Sequence, residues 1–403
     1  MRLSSIRDGI AKNLHAVEIT PEAWMSGRNF RSRERLGLLL LSAVGTHAIN
    51  RKDTMIARLL VVFLLMAGTG FSQTFVGTVD GYYGYNLNKP RSQKNVYRNF
   101  DFNHNQFSLN YAEIAVEQKP SATTPVGFRA DFGLGDAATW VHAADPAGAD
   151  VFRNLQQAYV STSRKKVQVD FGKFVTWNGA EVIETKDNWN YSRSVLFAWA
   201  IPYYHFGVRT TYIASDKVTL AGFVVNGWNN VSENNTGKTV GGQAVLKPAS
   251  KFTFTQNYTV GKEQSGRNAD AVRHLVDTVA AVDVTPKVSL MANYDYGMDR
   301  FNGSRVRWQG IAVYGRVSPA AKCRISPRFE WYDDPQGFTL GKAQTLKEGT
   351  LSADLVMNEN MLLRGEYRYD WSNRAVFESN SRRNLSHQST LTVGVVYTYS
   401  KTR

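Results

Sequence analysis

Two sets of charged residues in this chain have the types and the spacing to act on ions or polar solutes. The first set lies in the long segment 175–202, which has little strand-like alternation, and it consists of Glu181, Glu184, Asp187 and Arg193. The second set alternates with apolar residues, as in Arg364-x-Glu-x-Arg-x-Asp370. Strand side chains alternate between two faces, so these four charges share one face. Charges that ring a narrow aqueous passage select ions by sign.

The second set is predicted to line the wall of such a passage. Its members are Arg129, Asp131, Arg209, Arg324, Arg328, Glu330, Arg364, Glu366, Arg368 and Asp370. For each arginine, the interpretation that we favour is a salt bridge with a carboxylate of the same wall. The residues of segment 175–202 are then the candidates for the narrowest point.

Residue types that carry catalysis or bind metals are scarce. The seven histidines never occur with H-x-x-x-H spacing, and Cys323 is the single cysteine. A hydrolase would need a serine beside His205; Ser192 and Ser194 are available, but no G-x-S-x-G turn presents either one. The sequence therefore predicts no catalytic residues and no metal site.

The elements that position the charges are predicted to be sixteen strands. They lie near 75–87, 105–118, 125–134, 153–163, 166–174, 203–214, 217–227, 237–248, 250–261, 270–285, 286–299, 306–318, 322–333, 345–357, 360–371 and 387–400. Connections after even-numbered strands are mostly tight, whereas those after odd-numbered strands are mostly longer. This parity is typical of a transmembrane antiparallel β-barrel with short periplasmic turns and long extracellular loops. The alternative, a soluble β-sandwich, gives no reason for it.

The last strand shows the two faces most clearly. Leu391, Val393 and Val395 fall on one face together with two tyrosines, and small or polar residues fall on the other. A possible barrel-assembly signal comprises Thr392, Gly394, Tyr397 and Tyr399. In the second strand, Glu113 falls on the apolar face unless a bulge near Tyr111 restores the alternation.

The first 72 residues have a different composition. Residues 55–72 read as a secretory signal peptide, with a basic start, a short apolar stretch and small residues Gly70 and Ser72 before the predicted cleavage site. Residues 1–54 are interpreted as a spurious upstream extension or, alternatively, a disordered regulatory tail. Residues 73–403 are predicted to form one barrel domain.

The net charge of the chain bears on whether it binds nucleic acid. The chain carries a formal charge of +14, of which residues 1–72 contribute five and the predicted domain nine. The excess is spread along the chain without a basic run of five residues, so it gives little support to nucleic-acid binding.

Several stretches together resemble the OmpL-like β-barrel porins of bacterial outer membranes. They run in order through 74–400, and they include Val79-Asp-Gly-Tyr-Tyr-Gly-Tyr-Asn86, Phe171-Gly-Lys-Phe-Val-Thr176, Gly179-Ala-Glu-Val-Ile-Glu184, Asn188-Trp-Asn-Tyr-Ser-Arg193 and Ile201-Pro-Tyr-Tyr-His205. The resemblance implies an outer-membrane channel without a cofactor. One departure is the C-terminus, where Tyr399 stands in place of the usual terminal Phe and four polar residues follow.

These observations predict a water-filled channel for passive diffusion of small hydrophilic solutes or ions. We expect segment 175–202 to fold inward and constrict it, since its apolar run 195–201 suits packing against a wall. The alternatives are a loop that covers the mouth and a barrel for binding or adhesion without a conducting pore. Expected partners are outer-membrane lipid, the barrel-assembly machinery and a possible second copy of the chain.

Overall fold

Sixteen strands form in the part of the chain that the structure describes, as predicted. The computed structural model describes residues 72–143 and 153–402. The strands are β1 (Thr74–Asn86), β2 (Gln106–Gln118), β3 (Val126–Leu134), β4 (Leu155–Arg164), β5 (Val167–Val175), β6 (Tyr204–Ser215), β7 (Val218–Val225), β8 (Thr239–Ala249), β9 (Phe252–Lys262), β10 (Val272–Thr285), β11 (Val288–Phe301), β12 (Ser304–Ala320), β13 (Cys323–Asp334), β14 (Gln344–Val356), β15 (Met361–Ser372) and β16 (His387–Thr402).

Each strand pairs antiparallel with its neighbours in the chain, and the sheet closes on itself. Closure joins β1 to β16 in unbroken register, from Thr74 opposite Thr402 to Asn86 opposite Thr390. Because a closed sheet has no free edge, every strand has two partners for its backbone hydrogen bonds. The predicted all-β antiparallel barrel of sixteen strands is confirmed.

Alternation along the strands separates an apolar outer face from a polar inner face. On β16, Leu391, Val393 and Val395 are exposed on the outside, while Thr390 and Thr392 are buried inside. An outer apolar face with a polar interior is the arrangement expected of a barrel surrounded by lipid. No helix in the described part of the chain is long and apolar enough to span a membrane.

The predicted bulge in β2 is present. Asp80 of β1 lies opposite Tyr111, but its neighbour Gly81 lies opposite Leu109, so Asn110 is the extra residue. Asn110 and Tyr111 both turn inward, and Glu113 returns to the inner face, where it is buried. A bulge shifts the alternation by one residue, which explains the irregular sequence pattern.

Connection lengths follow the predicted parity. The turn between β4 and β5 is Lys165-Lys166, and the turn between β12 and β13 is Ala321-Lys322. One odd-numbered connection is also short: Asn302 and Gly303 join β11 to β12 with φ angles of 50° and 79°. Positive φ at both residues is what a two-residue hairpin turn needs, and Asn-Gly adopts it at low cost.

The apolar core of the barrel lies inside its long-loop half. It is formed by buried residues from the long connections, including the short helix α1 (Asp136–Val141), together with inward side chains of the wall. The predicted upstream extension and all of the predicted signal peptide except Ser72 lie outside the described residues.

Candidate channel constriction

The connection between β5 and β6, residues 176–203, folds into the barrel. We call it loop L3. It contains a 3-10 turn at Thr185–Asp187 and a π-helical turn at Leu196–Ala200, and the apolar residues of the second turn join the internal core. The predicted inward folding therefore agrees with the structure, and packing of the apolar run is the physical reason for it.

Two wall glutamates hold the backbone of L3. Glu366 accepts hydrogen bonds from the backbone N–H groups of Tyr191 at 2.6 Å and Ser192 at 3.0 Å. Glu330 accepts them from Val195 and Leu196, both at 2.6 Å. Hydrogen bonds between buried N–H groups and a carboxylate are stronger than those between neutral groups. These two carboxylates therefore fix the path of L3 along the wall.

Three wall arginines complete the attachment, and all three are buried. Arg328 bonds to Glu348 at 2.6 Å, to Glu181 of L3 at 2.7 Å and to the Ser192 carbonyl at 2.7 Å. Arg364 forms a two-point pair with Asp354 at 2.6 and 2.9 Å. It also donates to backbone carbonyls of L3 at positions 188 and 190.

Arg368 pairs with Asp370 at 2.7 Å and donates to the Arg193 carbonyl at 2.6 Å. Asp370 has a second partner in the first long connection, Arg98, whose Nη2 lies 2.9 Å away. Charges in the wall thus bind two inserted loops as well as each other. The predicted wall salt bridges form at five arginines: Arg129–Asp131, Arg209–Asp170, Arg328–Glu348, Arg364–Asp354 and Arg368–Asp370. Glu330 and Glu366 bind loop amides, and within the described part of the chain neither forms a salt bridge with an arginine.

Two residues predicted for the constriction are internal to L3. Glu181 is 5% exposed, because Arg328 and the Ser194 N–H both bond to its carboxylate. Arg193 is 3% exposed, and its guanidinium donates to the Val182 and Ile183 carbonyls. Burial lowers the pKa of Arg193, and the nearby Glu181 opposes this effect. This placement corrects the prediction: both residues hold the loop together and do not present free charge to the passage.

The other two predicted constriction residues are accessible. Glu184 is half-buried, and the Asp187 side chain is 55% exposed beside Lys186, at 2.5 Å. Glu184 interacts electrostatically with Glu113 and Asp131, which places it near the wall formed by β2 and β3. These two carboxylates are the acidic groups of L3 that meet water.

The wall at β3, β5 and β6 carries ion pairs of a different kind. Arg129 pairs with Asp131 at 2.9 Å, and Arg209 pairs with Asp170 at 2.8 Å. In each pair the arginine side chain is more exposed than its partner. Arg129 is 30% exposed and Asp131 0%, and Arg209 is 18% exposed and Asp170 2%. The positive partner therefore faces the lumen.

Arg324, at the short-turn end, lines a cavity of about 560 Å³ together with Lys186. Arg316, on the neighbouring strand, was not among the predicted residues. Its guanidinium stacks over Trp189 of L3 at 5.0 Å and is 20% exposed. Alternation along β12 places Arg316 on the inner face, so the sequence pattern alone could have identified it as a residue of the channel wall.

Gly394, a residue of the predicted assembly signal, lies against L3. It faces inward, and a Cβ atom at this position would lie 2.2 Å from the ring of Tyr191. The Tyr191 hydroxyl in turn bonds to Asp80 of β1 at 2.8 Å. Glycine here makes room for L3.

A closed sixteen-stranded antiparallel barrel with an apolar outer face and an inserted third long loop is the architecture of outer-membrane porins. The family model described as "Putative beta-barrel porin-2, OmpL-like" matches residues 72–399. The chain belongs to this family.

Solved porins share the fold. An anion-selective porin from Comamonas acidovorans has 10% sequence identity and a TM-score of 0.59, and the match covers 81% of this chain and 99% of that chain. Salmonella typhi OmpF in complex with daunomycin has 14% sequence identity and a TM-score of 0.56, and the match covers 81% of this chain and 97% of that chain. The trimer form of Vibrio cholerae OmpT has 9% sequence identity and a TM-score of 0.56, and the match covers 82% of this chain and 100% of that chain. No curated protein matches the sequence.

Proposed function

We propose that this protein is an outer-membrane porin through which small hydrophilic solutes and ions diffuse passively, narrowed by loop L3. The observation that carries the proposal is the asymmetry of the lumen. Inward side chains of β13 to β15, such as Arg328, Glu348 and Arg364, are buried beside L3. On β8 to β10 the inward residues Asn257 and Asp277 are also buried, but Gln243, Thr255 and Val279 keep partial exposure. The proposed passage therefore runs between L3 and these partly exposed side chains.

We propose a weak preference for anions. The preference is supported by three ion pairs, those of Arg129, Arg209 and Arg316, in which arginine is the exposed member and presents its positive charge to the lumen. Glu184 and Asp187 oppose this preference from the side of L3. Charges nearest the narrowing dominate, since screening acts over about 8–10 Å.

Purified protein in a planar bilayer tests both statements. We expect a steady single-channel conductance and, in a salt gradient, a reversal potential displaced toward that of the anion. Changing Glu184→Gln and Asp187→Asn together should displace it further toward anions, and Arg129→Gln with Arg209→Gln should displace it toward cations. Glu233→Gln, whose carboxylate pairs with Lys238 in the connection between β7 and β8, is the matched control and should change nothing.

Absence of conductance from correctly folded protein would refute the channel and favour the alternative, a binding or adhesion barrel. Unchanged reversal potentials in both variant pairs would place the narrowing elsewhere. Export by the predicted signal peptide, insertion by the barrel-assembly machinery and association with further copies of the chain belong to the same proposal. The trimer form of a structural neighbour supports the last of these.

A further inference from the structure

A cavity rich in aromatic residues lies at the long-loop end of the barrel. Its volume is about 340 Å³. We call it the aromatic vestibule, and its ring-bearing residues are Trp140, Trp199, Tyr203, Trp228, Trp308 and Phe338. Ligand pockets commonly measure about 300–1,000 Å³ and combine such an apolar lining with a few polar groups.

The rings of the vestibule are held in place. Trp228 and Trp308 meet edge to face at 6.3 Å, and Trp308 stacks on Phe338 at 5.5 Å. The indole N–H of Trp308 donates to the Ala200 carbonyl at 3.1 Å, which fixes the orientation of this ring against L3. A preformed arrangement of this kind loses little conformational entropy when a flat ligand binds.

One cation contributes to the lining. The Arg273 guanidinium lies 4.7 Å from the centre of the Trp228 ring and 5.4 Å from that of Phe338. Its Nε is 2.9 Å from Asp299. Among the described residues its two terminal nitrogens have no hydrogen-bond partner, so the outer edge of the guanidinium remains able to donate two parallel hydrogen bonds.

Asn229 adds a second donor to the lining. Asn229 uses its side-chain oxygen to accept the Tyr203 N–H at 2.6 Å, and its amide nitrogen has no partner among the described residues. Glu263, near Arg273, is buried and is not among the residues that line the cavity; its carboxylate accepts hydrogen bonds from the Trp228 N–H and the Thr239 hydroxyl. A sugar would need acceptors for its hydroxyl protons, whereas a carboxylate needs donors alone.

We propose that the aromatic vestibule binds small aromatic carboxylates before they enter the channel. The ring of the ligand packs among the tryptophans, and its carboxylate faces the free edge of Arg273 and the Asn229 amide. This inference deepens the proposed function, since it names the solute class that the same channel would favour. Binding at the entrance raises the local concentration of that solute above the narrowing at L3.

Titration calorimetry on the detergent-purified protein tests the binding step without requiring conductance. The probes are benzoate, acetate and benzyl alcohol, which separate the ring from the charge, and a neutral disaccharide. We expect benzoate to bind at least tenfold more tightly than any of the other three. Arg273→Gln and Trp228→Ala should each weaken benzoate binding about tenfold, the loss expected from one donor pair or one ring.

The matched controls are Arg267→Gln, an exposed arginine in the connection that precedes β10, and Trp371→Ala, a tryptophan of β15 outside the cavity. Both should bind benzoate as the unchanged protein does. Equal binding of acetate and benzoate, tighter binding of the disaccharide, or full binding by Arg273→Gln would overturn the inference. Such a result leaves the channel intact if bilayer conductance persists, while benzoate binding without conductance would refute the porin function alone.

Discussion

Replacing Glu330 by glutamine should release loop L3 without unfolding the barrel. The Glu330 carboxylate accepts two backbone N–H groups of L3, both at 2.6 Å. Glutamine has the same shape, but its single oxygen satisfies one N–H while its NH₂ group opposes the other. Loss of one hydrogen bond to a charged group costs about 1.5–3 kcal/mol, and the buried N–H left without an acceptor adds to this.

A total of about 3 kcal/mol would increase the population of the released loop roughly 100-fold, since 1.4 kcal/mol corresponds to tenfold. Thiol labelling measures this population. In a Cys323→Ser background, Leu196→Cys places a thiol at a position that is fully buried in the attached loop. Labelling should be slow with Glu330 present and roughly 100-fold faster with Glu330→Gln.

The matched control is Glu117→Gln, a wall glutamate of β2 that accepts no described hydrogen bond from L3. Labelling at its original rate is expected there, and single-channel conductance should rise in Glu330→Gln alone. If Glu330→Gln leaves both labelling and conductance unchanged, the carboxylate does not hold the loop and the reasoning fails.

Three further predictions concern residues outside the glutamate contacts. Gly394→Ala should displace Tyr191 and alter conductance while heat-resistant barrels still form; a loss of barrel insertion instead would assign Gly394 to assembly. Val395→Asp should reduce insertion into lipid vesicles, because charge on the lipid face costs up to ~2–4 kcal/mol for Arg or Lys at mid-depth and less for Asp. Thr255→Asp, on the lumen face, is its control, and equal insertion by both variants would contradict the assignment of faces. N-terminal sequencing of protein from outer membranes should begin near Gln73, and a start before Met55 would refute the predicted signal peptide.

The strands could be predicted closely because the sequence of each barrel strand shows a recognisable pattern of its own. Alternation, turn residues and loop-length parity are local properties, so they placed β15 within one residue at each end and located the bulge beside Tyr111. Inward folding of L3 was also predictable, since an apolar run such as 195–201 needs a surface to cover it.

Partners across the lumen could not be predicted in the same way. Glu330 and Arg328 alternate along one strand like simple wall charges, but their partners in L3 lie more than 130 residues away in the chain. Nothing in the local pattern distinguishes a carboxylate that faces water from one that accepts backbone amides. Arg193 was misassigned for this reason: its charge was visible in the sequence, whereas the carbonyl groups that surround it were not.

The contacts of L3 have a consequence for the order of folding. The loop touches Asp80 near the start of the barrel and Glu366 near its end, on the two strands that flank β16. The contact with Asp80 needs only β1, but the contacts with Glu366 cannot form until β15 has been added, so L3 cannot make both sets before then. Contacts at such sequence separation form late, because the entropy of closing a long loop opposes them. Insertion of L3 would then follow the pairing of β1 with β16, and its contacts would hold the two ends of the sheet together.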